Sequence, residues 1–92
     1  MSTFSTERLP LATAIHASER LKFTGCKHLA PDRVAFAFDD PDGEGARAEL
    51  EFDSGGLLVP AAKLWASLRY LRREMTETLN TEKRNTRHAR RQ

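Results

Sequence analysis

An α+β fold, with helices laid on one face of a small antiparallel sheet, is predicted by three features of this 92-residue sequence. Between Leu57 and Leu79 the apolar residues recur every three or four positions, the period of a helix with one buried side. Between Leu21 and Asp53 the period falls to two, as in strands with one covered face. Clusters of Pro, Asp, Ser and Gly separate these runs and supply the backbone angles of tight turns. Helices on one side of a sheet bury both apolar faces at once.

Taken in order, Phe4–Thr6 reads as a short lead-in or edge strand. Thr6 is a candidate N-cap, with Glu7 at the positive end of the helix dipole. Pro10 falls in the first turn, where a missing donor costs little. LATAIHAS then forms a short helix with Leu11, Ala14, Ile15 and Ser18 on one side and His16 off it, in solvent. Leu21, Phe23, Gly25 and Leu29 alternate with Lys22, Thr24, Cys26 and His28; Lys27 interrupts the apolar face, and Gly25 marks a bulge or bend. After a turn at Ala30–Asp32, Val34, Phe36 and Phe38 share one face of the strongest strand and Ala35 and Ala37 the other. DDPDGEG is a turn by composition. Four acids in six positions imitate a calcium loop but lack its ligand register and closing Glu. ARAELEFD gives a third strand, with Ala48, Leu50 and Phe52 inward and Arg47, Glu49, Glu51 and Asp53 outward. Leu57–Val59 is a candidate fourth strand.

The long helix opens at Pro60, suited to a first turn. Its apolar stripe is Ala61, Leu64, Trp65, Leu68, Leu71, Met75 and Leu79. Phe23, Phe36, Phe38 and Phe52 are expected to meet Leu64, Trp65, Leu68 and Leu71, so Trp65 is assigned to packing. The expected architecture is a short N-terminal helix, a three- or four-stranded antiparallel meander and a long C-terminal amphipathic helix on one sheet face. Residues 1–79 form one domain and residues 80–92 a basic flexible tail.

Composition sets the functional classes. The chain is 39 % hydrophobic and 30 % charged, ordinary for a globular protein. It holds no apolar run near the roughly 18 residues of a membrane span. The start, MSTFSTERLP, has no export pattern, so a cytoplasmic location is expected. Cys26 is the single cysteine and has no intrachain partner. Charge is split along the chain. Residues 1–68 carry seven Lys and Arg against ten Asp and Glu, a net −3; residues 69–92 carry eight against three, a net +5.

The segments FSTERLPLATAI, RVAFAFDDP and ELEFDSGGLLVPAAKLWASLRYLRREM resemble a family of small bacterial and phage-associated proteins known only as a domain of unknown function. The matching positions are Phe4, Thr6, Leu9, Leu11, Ala12, Phe36, Phe38, Gly56, Val59, Ala61, Leu68 and Leu71, within residues 4–75. They are mostly core positions, so the resemblance implies a fold and transfers no activity. The family's glycine after the first helix is replaced here by Glu19-Arg20.

No catalytic set, metal site or cofactor is expected. His16, His28 and His88 lie on unrelated segments, and no glycine loop has phosphate-cradling spacing. The function expected is that of a non-enzymatic accessory protein binding nucleic acid or a nucleoprotein. Its phosphate-facing cations would be Arg69, Arg72, Arg73, Lys83, Arg84, Arg87, Arg90 and Arg91. The alternative is a protein–protein interaction module without nucleic-acid contact: a homodimer, or a phage-type inhibitor whose acidic sheet mimics nucleic acid. Neither a membrane nor a small-molecule substrate is expected. The plain alternative is that arginines near a helix C-terminus answer its dipole and charged tails keep proteins soluble.

Overall fold

The computed structural model describes residues 2–90, with side chains as far as Thr81. Residues 80–92, read above as a basic tail, extend beyond those side chains. The elements are β1 (Thr3–Thr6), α1 (Leu9–Ser18), β2 (Lys22–Ala30), β3 (Arg33–Asp39), α2 (Glu44–Asp53) and α3 (Ala61–Arg90). The fold is α+β: a three-stranded antiparallel sheet carries the helices, among them the long C-terminal one.

The sheet is not the expected meander. Its order is β1-β3-β2, and the N-terminal strand is its third member. Phe4 pairs with Phe38 and Thr6 with Phe36, so β3 takes the central position and is buried from Val34 to Phe38. The β2–β3 pairing puts Phe23, Cys26 and His28 opposite Phe38, Phe36 and Val34, on the helix-covered face. The alternation read from the sequence is therefore broken midway. Gly25 lies at a register shift with φ +142, and this bulge returns Cys26 and His28 to the covered side. Leu29, expected inward, is half exposed.

ARAELEFD is a helix, not a strand. Ala, Arg, Glu and Leu are strong helix formers, and Gly45, Ala48 and Phe52 fall at helical spacing. Gly45 and Ala48 are buried and Leu50 is 72 % exposed, which a strand with Leu50 inward would not allow. Asp40 starts this helix. The Glu44 and Gly45 backbone N–H groups donate to its Oδ1 and Oδ2 at 2.7 and 3.0 Å, and Asp40 itself is buried. These are two of the first-turn donors that a helix cannot pair internally. DDPDGEG is thus a helix-capping loop. Leu57–Val59 belongs to no strand.

Arg8, not Thr6, precedes α1 at the N-cap position; the Thr6 hydroxyl instead accepts from the Arg8 N–H at 3.0 Å. Helix α1 touches both α2 and α3, and α3 also rests on β2. The central place of α1 explains why Leu11, Ala12, Thr13, Ala14, Ile15 and Ala17 are all buried. The core joins Leu11, Ile15, Val34, Phe36, Phe38, Ala48 and Leu71. Each large side chain there contributes about 1.5–3 kcal/mol by leaving water.

Candidate nucleic-acid interface

The rotation of α3 about its axis decides which side chains it offers to solvent. Ser67 and Leu71 are buried, with Leu68, Glu74, Met75, Thr78 and Leu79 half-buried beside them. Contacts from α1 fix this setting. His16, expected in solvent, is half-buried, and its Nδ1 lies 2.7 Å from Ser67 Oγ. Its ring stacks on Tyr70 at 5.2 Å, and Tyr70 meets Phe23 edge-on at 5.9 Å. Burial lowers the His16 pKa, and the charge of Glu19 opposes that shift.

With Ser67 and Leu71 inward, the opposite side carries Trp65, Arg69, Arg72, Arg73 and Thr76, all exposed. Arg69 follows Trp65 by four residues and Arg72 by seven, and Arg73 follows Arg69 by four. On a 3.6-residue helix these positions share one side. Arg69 lies about 6 Å and Arg72 about 10 Å beyond Trp65 along the axis.

The three arginines differ from most cations of the body. Arg8 pairs with Asp53 at 2.7 Å and Glu49 at 3.3 Å, and Arg20 spans Glu44 and Glu51, each at 2.9 Å. Arg33 pairs with Glu7, Arg47 with Glu44 and Lys63 with Glu19. Hydrogen bonds from Arg33 and Arg8 hold the Glu7 and Asp53 carboxyls below their usual range. Among the described residues Arg69, Arg72 and Arg73 make no ion pair; nor do Lys22 and Lys27, which lie exposed on the edge strand β2.

Of the cations expected to face phosphate, the structure therefore brings Arg69, Arg72 and Arg73 together on one open side. The side chains of Lys83, Arg84, Arg87, Arg90 and Arg91 lie outside the described residues. Trp65, assigned to packing, is 63 % exposed, and Leu64 is 39 % exposed. A signal for Trp65 was present, because its spacing to Arg69 and Arg72 is as helical as its spacing to Leu68. Nothing in a one-dimensional stripe says whether its edge is covered.

The acidic sheet face expected from Glu49, Glu51 and Asp53 does not exist. These residues lie on α2, where they hold Arg8 and Arg20. Their charge is spent internally, which removes the basis for nucleic-acid mimicry by a strand.

Cys26, His28, Glu74, Glu77, Thr78 and Thr81 line an open cleft of about 380 Å³ between β2 and α3. Burial pushes the Cys26 thiol up; a hydrogen bond from Thr78 opposes this and the charge of Glu74 reinforces it. The thiol is thus kept protonated, the opposite of an activated nucleophile. His28 Nε2 is buried without a hydrogen-bond partner. Among the described residues no group of three or more His, Cys, Asp or Glu is arranged to hold a metal ion, and no helix is long and apolar enough to cross a membrane.

Comparisons with protein families, with curated proteins and with solved structures found no match to this chain.

Proposed function

We propose that this protein is a non-enzymatic accessory protein that binds nucleic acid, free or within a nucleoprotein, through the basic side of α3. The observation that carries this reading is the contrast in pairing. Five cations of the body are held by carboxylates, while Arg69, Arg72 and Arg73 stand together, exposed and unpaired among the described residues. Unpaired arginines on one helix side can replace the counterions of a phosphate backbone, and the net +5 of residues 69–92 extends that field.

Salt dependence of binding tests it. Each phosphate contact adds roughly 0.9 to the slope of log affinity against log salt for duplex and roughly 0.7 for a single strand. Replacing Arg69, Arg72 and Arg73 together by Gln should therefore flatten the slope by about 2 to 3. Gln at Lys83, Arg84, Arg87, Arg90 and Arg91 measures the remaining cations in the same assay. Failure of the parent protein to bind either form of oligonucleotide at low salt would end this reading.

A second reading rests on the uncovered apolar residues. Leu58 is 87 % exposed, and Leu64 and Trp65 sit open near the start of α3. A protein partner or a second copy on that surface would make the protein an interaction module. Mass in solution across a range of protein concentrations separates a dimer from a monomer.

A further inference from the structure

We infer that Trp65 is a base-stacking residue and that the preferred ligand of the α3 surface is single-stranded nucleic acid. The inference rests on the reading of α3 as a nucleic-acid surface and deepens it.

A tryptophan with most of its surface in water costs solvation and adds nothing to the core. Here Leu71 and Ser67 take the inward positions and leave the Trp65 indole outside. The indole shares its side of the helix with Arg69, Arg72 and Arg73. Cations alone bind duplex and single strand through the same phosphates. An exposed aromatic face among cations adds a term that only an unstacked base can satisfy, because the bases of a duplex are already stacked. Arg69 and Arg72, about 6 and 10 Å farther along the helix, are placed to hold phosphates of the strand whose base lies on the indole.

An apolar protein partner would satisfy Trp65 equally, but it would have to cover three arginines that make no ion pair among the described residues. Charge complementarity therefore favours a polyanion that also presents flat apolar rings. The sheet supplies no competing platform. Phe4, Phe23, Phe36 and Phe38 are all drawn into the helix-covered side, and the other sheet face carries Thr3, Ser5, Ala35, Ala37 and Lys27.

Trp65 is the sole tryptophan of the chain, so its emission reports on this position directly. Full-length protein is titrated at low salt with a thymidine oligonucleotide and with a duplex of the same length. The single strand should quench the emission and the duplex should not. Trp65→Ala should weaken single-strand binding about tenfold to a hundredfold, the loss of one base stack, and change duplex binding less than about twofold. Trp65→Phe should recover most of the loss. Circular dichroism of the variants checks that the fold is retained.

Binding of both ligands with no change in emission, or equal losses for both in Trp65→Ala, overturns the inference and leaves the proposed function standing. If neither ligand binds, both fall together. An emission change that follows protein concentration instead of oligonucleotide, and vanishes with dimer dissociation, assigns Trp65 to a second copy and also overturns it.

Discussion

Asp40 is where a single substitution tests the fold most sharply. Its carboxylate accepts the Glu44 and Gly45 N–H groups at 2.7 and 3.0 Å, and the side chain is buried. Asp40→Ala removes both acceptors and leaves two donors of the first turn of α2 without partners. A lost cap costs about 0.5–2 kcal/mol, and a hydrogen bond to a charged group about 1.5–3 kcal/mol. The two bonds share one carboxylate, so the costs overlap, and a total of about 2–3 kcal/mol is expected. A 92-residue domain has about 5–14 kcal/mol in hand. The loss should lower the melting temperature by about 10–20 °C. The main-chain bond from the Asp40 N–H to the Ser2 carbonyl is untouched by the substitution, so the change isolates the carboxylate. Asp40→Asn keeps one acceptor oxygen and should lose about half as much. Urea unfolding followed by circular dichroism measures the difference, and amide exchange shows whether α2 opens first. A variant within about 0.5 kcal/mol of the parent, with α2 amides still protected, would refute the capping role.

Gly45→Ala places a β-carbon 2.7 Å from Phe4 Cβ, between α2 and β1, and should cost about 1–3 kcal/mol in urea unfolding. Glu19→Gly should stabilise by about 0.5–1 kcal/mol in the same assay. Glu19 ends α1 at φ +60 and is the only non-glycine residue with positive φ among those described, while its exposed pair with Lys63 contributes little. For His16 the sign follows from its lowered pKa. The unfolded chain takes up a proton near the ordinary value of 6.5 before the folded one does. The stability it contributes is therefore complete above about pH 6.5 and falls as pH drops through the interval just below. Parent protein should lose stability as pH falls below about 6.5, and His16→Asn should lose less over the same interval. Glu7 and Asp53, with lowered pKa values, act in a separate window, below their ordinary 4.5 and 3.8.

The α+β class was legible from the residues because it rests on signals that survive any arrangement of neighbours. Val34, Phe36 and Phe38 alternate strongly enough to form a strand wherever they pair, and Leu11, Ile15 and Leu71 are apolar at helical spacing in segments with good formers. Gly25 announced its bulge by lacking a side chain. The candidate site was legible in part: helical spacing sets Arg69 and Arg73 on the polar side of α3, but says nothing of whether Trp65 beside them is covered.

Tertiary structure decided the rest. ARAELEFD satisfies both periods, since Ala48 and Phe52, four residues apart, are separated by two strand periods or about one helical turn. The Asp40 cap, the close approach of Gly45 to Phe4 and the ion pairs to Arg8 and Arg20 select the helix. With that segment gone from the sheet, the edge of β3 is left for β1. The rotation of α3 is set by Leu71 in the core, a member of its apolar stripe, and by Ser67 against His16, a contact that the stripe does not reveal. Local periodicity reports which side chains avoid water; which of them find cover depends on partners distant in sequence, and Trp65 stands beside the arginines because none reaches it.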